Sequence, residues 1–458
     1  MNRLEWRVTA SLAAIYAVRM LGLFMILPVF ALYAQSLPGY SIALAGLAIG
    51  IYGLTQATFQ IPLGILSDKV GRKPVIIGGL LVFATGSMIA AVAHSLVGII
   101  IGRAIQGMGA VAGPTMALAA DLTREENRTR IMAIIGMTIG LSFMAGMVLG
   151  PIINQYAGVP GIFWLTMVLA LIGIVLVLFA IPTPLQTKQH RDAGVMRGYL
   201  MTTLKNQALV RMNIGVFILH LVMTANFLVL PPIFEHDLAL PRIDHWHIYL
   251  PIFAGSFLLS IPLIIVAETK HKIRSLLIAS TIAILLAELA MAFSYTHISG
   301  LLAAFFLFFV GFNFLEAIQP SLVAKYSNVS TKGTAMGIFS SSQFLGIFAG
   351  GSLGGIVNHH WGTSGVFLFC ALVVATWLVI ALRLPAPSFY TSRLLKLRDE
   401  LLINPQQLEH ELLSVAGVKE VALAPDEQVA YLKVDKNALD EAALQPFAAS
   451  EETANLPA

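Results

Sequence analysis

Uncharged apolar runs about as long as a membrane-crossing helix recur through this chain, and they decide its class. From Pro74 no acid, lysine or arginine appears until Arg103. A helix needs about 20 apolar residues to cross roughly 30 Å of hydrocarbon. Runs of that kind fall near 9–35, 43–67, 74–94, 96–120, 131–154 and 162–181, then near 211–234, 247–267, 275–294, 298–323, 333–357 and 364–384. The pattern predicts twelve spans, as six plus six. Hydrophobic residues are 57% of the chain and charged residues 11%, against roughly 25% charged in a typical soluble protein. A soluble domain could not hide that much apolar surface, so lipid is the solvent for most of the chain. The first run begins basic, like a signal peptide. It is too long and too poor in small residues for a cleavage site, so it reads as a retained span.

Lys and Arg orient the spans. With the N-terminus placed in the cytoplasm, that side holds eighteen of them, and the opposite loops hold only Arg242. Such a bias puts both termini inside. The fold class is an all-α polytopic membrane protein, twelve helices in two pseudo-symmetric six-helix halves, with a small α+β domain at its C-terminus. The expected divisions are an N-terminal half (1–182), a polar linker (183–210), a C-terminal half (211–386), a soluble domain (387–450) and a disordered tail (451–458). From 387 onward there are six bases against twelve acids, whereas residues 1–386 hold twenty-two bases against twelve acids. The acidic end is not a nucleic-acid binder on charge grounds. Its segments predict a strand at 390–398, an amphipathic helix at 404–418 with Leu408, Leu412, Leu413 and Val415 apolar, a hairpin at 418–435 and a second short helix. That order is ferredoxin-like. The single cysteine, Cys370, excludes an intramolecular disulfide and cysteine-based metal sites.

The halves read as a repeat. The apolar end, acid and basic turn of "GILSDKVGRKP" are matched in position by "IIVAETKHKIR" (264–274), with Glu268 opposite Asp68. Residues 127–151 match 331–355, each a polar start followed by a glycine-rich span. In the first copy Asp68 ends a helix, where an acid costs about 0.3–1 kcal/mol against the carbonyl partial charges. It therefore asks for a positive partner, and Arg72 is within reach. Gly71 can take a conformation that ends a helix, Pro74 suits the first turn of the next, and Gly64 removes a side chain where another backbone can approach.

This stretch resembles the loop signature of the major facilitator superfamily, G-x-L-x-D-[RK]-x-G-R-[RK], at Gly64, Leu66, Asp68, Lys69, Gly71, Arg72 and Lys73. It stands between spans two and three, as in that family. The resemblance implies a conformational latch on the cytoplasmic side, with Asp68 facing the helix start near Gly333–Thr334 and Arg72 meeting Asp121. Arg103, Gln106 and Gly107 resemble the family's R-x-x-Q-G signature, which is associated with proton coupling; an arginine snorkelling to the interface and satisfied by Gln106 is the bland alternative. Gly146, Gly150 and Pro151 resemble the antiporter signature G-x-x-x-G-P-x-x-G-G and imply a hinge, although Asn154 and Gln155 replace its last two glycines. Close helix packing explains the same small residues.

Buried acids are the sharper clue, since an acid at the bilayer centre costs about 2.5–3.5 kcal/mol even on insertion scales. Glu316 lies in span ten and Glu288 in span nine. In the family, spans one, four, seven and ten line the cavity, which favours Glu316 as proton carrier; a structural pair with Arg19 or with a polar neighbour is its alternative. The other polar groups on cavity spans are Tyr16, Arg19, His220, Asn226, Asn313 and Gln319, with Phe24, Met20, Met116, Met223 and Phe227 around them. This mix suits a small amphipathic organic substrate. The outer-loop His236, His245 and His247 have no regular ligand spacing, so no metal site is expected. No phosphate loop, nucleotide motif or nucleophile triad appears, so the expectation is a non-enzymatic transporter, free of cofactors and driven by the proton gradient. It would be a proton-coupled antiporter exporting such compounds across a bacterial inner membrane. A membrane sensor signalling through the C-terminal domain, or a uniporter or symporter, stays open. A cytoplasmic ligand or protein is a possible partner of that domain.

Overall fold

The computed structural model describes residues 3–449 apart from 124, 184–196, 329–330, 388–389, 426–427 and 436–437. Residues 184–196 of the expected linker and all of the 451–458 tail lie outside the described residues. Among the described residues thirteen α-helices come before the first strand: α1 (Arg3–Phe24), α2 (Leu27–Ala34), α3 (Ile42–Val70), α4 (Arg72–Val92), α5 (Leu96–Met108), α6 (Ala112–Asp121), α7 (Glu125–Val175), α8 (Arg197–Lys205), α9 (Gln207–Pro232), α10 (His245–Thr269), α11 (Ile273–Ser294), α12 (Ile298–Tyr326) and α13 (Lys332–Ala381). Among the described residues, ten helical stretches are long and apolar enough to cross a membrane.

The difference from twelve lies in two places. The runs near 131–154 and 162–181 form the single 51-residue α7, and those near 333–357 and 364–384 form the 50-residue α13. Each contains one non-helical residue, Gly158 (φ 66°, ψ 179°) in α7 and Gly362 (φ 67°, ψ −170°) in α13. That region of backbone space is essentially closed to residues with a Cβ. The two glycines are separated by the same number of residues as the matched segments 127–151 and 331–355, so the repeat seen in sequence extends to the break itself.

Helix starts follow local chemistry. Ser41 and Ser95 accept hydrogen bonds from Leu44 and Gly98, and the Asn206 side chain accepts from Ala208 and Leu209. These caps satisfy backbone donors that the helices leave unpaired. Within the helical part, lipid is as apolar as leucine, so close packing of small residues holds helices together. Gly146 and Gly150 of α7 lie against Phe24 and Met25, where α1 stops, and Gly350 and Gly354 of α13 lie in the same way against Leu221 and Ala225 of α9.

The C-terminal part contains β1 (Thr391–Lys396), α14 (Pro405–Ser414), β2 (Val418–Ala424), β3 (Val429–Val434) and α15 (Glu441–Leu444). The sheet is antiparallel in the order β1-β3-β2, and Leu397 makes an isolated antiparallel bridge to Ala448 on the outer side of β1. Leu395, Leu408, Leu412, Val421, Leu432 and Leu444 share one core. Two expectations change. The helix stops at Ser414, short of Gly417, and Leu413 faces outward at 43% exposure because the core-facing stripe of so short a helix is already filled by Leu408 and Leu412.

Candidate functional site

Three polar clusters interrupt the apolar helices. The first joins the ends of α3, α4 and α6. Gly71 takes φ 102°, ψ 151° between α3 and α4, a conformation that favours glycine. It turns the chain so that Arg72 faces back toward the acid before it. The guanidinium bonds Asp68, donates to Ser67 Oγ at 2.8 Å and reaches Asp121 Oδ2 at 3.2 Å, with the Asp121 side chain fully buried. Lys73 donates to the Ile181 carbonyl at 2.8 Å, beyond the end of α7. A Cβ added at Gly64 meets nothing within 4 Å, although the backbone of α6 runs close to Gly64 on another side, a Cβ added at Gly113 lying 3.9 Å from Gly64 Cα. At the repeat-related position, Glu268 pairs with Lys325 at 2.6 Å and accepts from Ser321 at 2.9 Å. The second copy therefore keeps an ion pair between helix ends while drawing its base from α12.

The second cluster lies among α1, α3, α4 and α5. Arg19 is buried, with one nitrogen 2.9 Å from Gln56 Oε1 and 3.5 Å from the Tyr52 hydroxyl. Its other two nitrogens and the Gln56 amide nitrogen find no hydrogen-bond partner among the described residues. Tyr16 donates to the Ala112 carbonyl at 2.5 Å. Arg103 stacks over the other side of Tyr52, 4.9 Å from the ring centre. It contacts Gln106 Oε1 at 3.1 Å and the Ala48 and Ile49 carbonyls at 3.4 Å. Arg103 is thus buried within the bundle, where Gln106 satisfies it as the alternative reading expected. Gln106 is fully buried between helices and not a cavity residue: its amide donates to Ser87 on α4 at 2.7 Å.

The third cluster centres on Glu316 of α12. His220 of α9 approaches it at 3.6 Å, and Gln343 of α13 contacts Glu316 Oε1 at 3.2 Å and His220 Nε2 at 2.7 Å. Glu316 keeps 38% of its side chain exposed while His220 is buried. Of the partners weighed for Glu316, the structure shows polar neighbours on α9 and α13 and not Arg19. Phe312, one turn before Glu316, meets the His220 ring and stacks on Phe143 of α7, which meets Phe24 of α1 edge-on at 4.8 Å. Phe253 and Phe309 continue the aromatic wall from α10 and α12. A carboxyl, an imidazole and an amide beside an aromatic wall can hold a proton and the polar end of an organic molecule whose body lies on the rings.

Three other candidates go elsewhere. Asn226 turns from the cavity to bond Glu288 of α11 at 2.7 Å, both fully buried. A polar side chain within a bundle takes the strongest acceptor in reach, and Glu288 lies on the packed side of α9. Asn313 donates to Ser256 of α10 at 3.0 Å. Gln319 is buried, and neither of its amide atoms has a hydrogen-bond partner among the described residues.

A family model described as Major Facilitator Superfamily matches this sequence twice, over residues 12–211 and 212–425, one match to each repeat. The chain belongs to the major facilitator superfamily. It is a multi-pass membrane transporter of that superfamily. Among its relatives is the inner membrane transport protein YajR of Escherichia coli, 43% identical over 94% of each chain. The multidrug resistance protein MdtH of Aeromonas salmonicida is 26% identical over 81% of this chain and 92% of its own. A bacterial homologue of the human lysosomal transporter Spinster, solved inward-facing and unoccupied, shares the superfamily fold with a TM-score of 0.64 at 13% identity, covering 83% of this chain and 96% of that one.

Sequence reasoning missed Gln343 and Phe143, because attention to spans one, four, seven and ten left out the helices that carry them. The polar run Ser340–Ser341–Ser342–Gln343 inside a glycine-rich span was the available signal.

Proposed function

We propose that this transporter is a proton-coupled antiporter that exports small amphipathic organic compounds across a bacterial inner membrane by alternating access. The observation that carries the reading is the half-exposed Glu316 carboxyl, held by His220 and Gln343 against an aromatic wall. An acid inside a membrane segment is expensive, and taking up a proton removes its charge. Substrate and proton then compete for the same few atoms, which is the requirement for exchange. Arg19 and Gln56, with donors to spare, offer a second polar contact for the substrate. No cofactor is needed, since proton entry is worth about 2.3 kcal/mol per charge for each 100 mV.

In this reading Gly158 and Gly362 divide α7 and α13, giving twelve spans in two halves, with both termini in the cytoplasm. The halves touch backbone to backbone at the outer end, where Gly46, Gly50 and Gly53 of α3 face Gly351, Phe348 and Phe344 of α13. Gly64, toward the inner end of α3, has open space. That asymmetry corresponds to an inward-facing conformation. Asp68, Arg72 and Asp121 then form a latch whose hold changes when the inner ends meet. The C-terminal sheet is read as ferredoxin-like, with the Leu397–Ala448 bridge standing where a fourth strand joins β1.

The test is proton flux in proteoliposomes at a fixed pH gradient while amphipathic cations and neutral organics are added. Wild type is expected to release protons when its substrate is added, and Glu316→Gln to lose that response. Release that persists in the variant rejects Glu316 as carrier. One observation favours a second reading, a sensor. Lys433 of β3 donates to the backbone carbonyls of Lys325 and Ser327 at the end of α12, the Glu316 helix. Deleting 387–458 separates the two, since a transporter keeps some flux without its tail and a sensor loses all output.

A further inference from the structure

Glu288 is the other acid within the helices, and its surroundings differ from those of Glu316. It is fully buried on α11 and, among the described residues, has no ion pair. Asn226 Nδ2 donates to Glu288 Oε1 at 2.7 Å. Two atoms of this pair are left without partners, Glu288 Oε2 and Asn226 Oδ1. Both are acceptors when the acid is ionised, so they cannot satisfy each other. The titratable neighbour from α13 is Cys370, buried and with no positive charge to offer. An ionised Glu288 would thus be an uncompensated charge in a dry interior, which costs far more than a neutral acid there.

A single hydrogen removes every mismatch. A carboxylic acid and a primary amide each present one donor and one acceptor on neighbouring atoms. With a proton on Oε2, Glu288 donates to Asn226 Oδ1 while Asn226 donates to Oε1, and no polar atom of the pair is left over. We propose that Glu288 is a permanent proton-binding site, its proton shared with Asn226 in a closed acid–amide pair that ties α9 to α11. The ligand is the proton itself, held and not exchanged. Asn226 sits on the same helix as His220, so the pair fixes to α11 the helix that presents His220 to Glu316. The inference rests on the reading of Glu316 as the exchanging acid only in dividing the two roles; the geometry of Glu288 and Asn226 stands without it.

Infrared spectroscopy of the full-length protein in light and heavy water tests it, with wild type beside Glu288→Gln and Glu316→Gln. A protonated-carboxyl band that persists at every pH where the protein stays folded is expected in wild type and in Glu316→Gln, and is expected to vanish in Glu288→Gln. A band that titrates away near neutral pH, or that survives Glu288→Gln, overturns the proposal. Thermal unfolding is the second readout. Glu288→Gln is expected to keep the wild-type midpoint, because a glutamine and Asn226 form the same two hydrogen bonds. Glu288→Leu is expected to lower it by leaving Asn226 unpaired. A midpoint in Glu288→Gln as low as in Glu288→Leu would reject the acid–amide pair. These readouts need no substrate, so they stay informative if the antiport reading fails.

Discussion

Gly46→Ala puts the alternating-access reading under the most direct strain. A Cβ on Gly46 would overlap the Gly351 carbonyl oxygen and lie 3.0 Å from its carbonyl carbon and 3.2 Å from Gly355 Cα. All three are backbone atoms of α13, so no rotamer change relieves the clash. Overpacking of this kind costs about 1–3 kcal/mol. The cost falls only on the conformation in which α3 and α13 touch at this end. A differential of that size shifts a two-state equilibrium about 5–150-fold, here toward the state with these ends apart. The assay is a spin-label distance between Ser36→Cys and His360→Cys, two exposed positions near the contact, in a background with the buried Cys370 replaced. The distance distribution is expected to move to longer values in Gly46→Ala. Gly64→Ala, with nothing within 4 Å, is expected to leave it in place. Gly350→Ala meets Leu221 within one bundle and is expected to lower the unfolding temperature without moving the distance. A distribution unchanged by Gly46→Ala would refute the claim that this contact is what closes the outer end.

Other outcomes follow from the same geometry. Arg72→Ala removes the guanidinium that bridges Asp68 and the buried Asp121 and is expected to lower the unfolding temperature; Arg72→Ala with Asp121→Ala should recover part of the loss. Gly158→Ala forces a Cβ into a glycine-only conformation and should cost about 1–3 kcal/mol, with Gly362→Ala matching it if the two breaks are equivalent. Lys433→Ala removes the tail's grip on the end of α12, and increased proteolysis of the 387–450 segment is the expected result; an unchanged digestion rate would show that the grip does not hold the tail.

Much of the membrane part was legible because its constraint is one-dimensional. Length and hydropathy mark spans, and the acid, bases and glycines of residues 64–73 mark a turn whose ion pairs are nearly local. Arg72 and Asp68 are one helical turn apart in sequence, so their meeting needed no knowledge of the fold. The breaks in α7 and α13 were legible as well: the gaps left between the apolar runs, 155–161 and 358–363, contain Gly158 and Gly362, the first beside Gln155, Pro160 and Gly161 and the second beside His359, His360 and Thr363. What the sequence did not show is that helix continues on both sides of each glycine, with one residue alone leaving helical geometry. The tail's strands were readable from alternation, since each is half-buried on a small core.

The site was less legible, because inside lipid a polar side chain is directed by whichever partner its neighbours supply. Asn226 and His220 lie on one helix, less than two turns apart, yet one bonds Glu288 on α11 and the other meets Glu316 on α12. Span number alone sent both to the cavity. What separates them is the helix face opposite each, and that is a property of packing. The same reasoning separates the two acids. Glu316 keeps part of its surface open and has an imidazole and an amide that accept either of its protonation states. Glu288 has one amide whose free atom matches only the protonated form. In a membrane, then, an acid's capacity to exchange a proton depends on whether its partners tolerate both of its charge states.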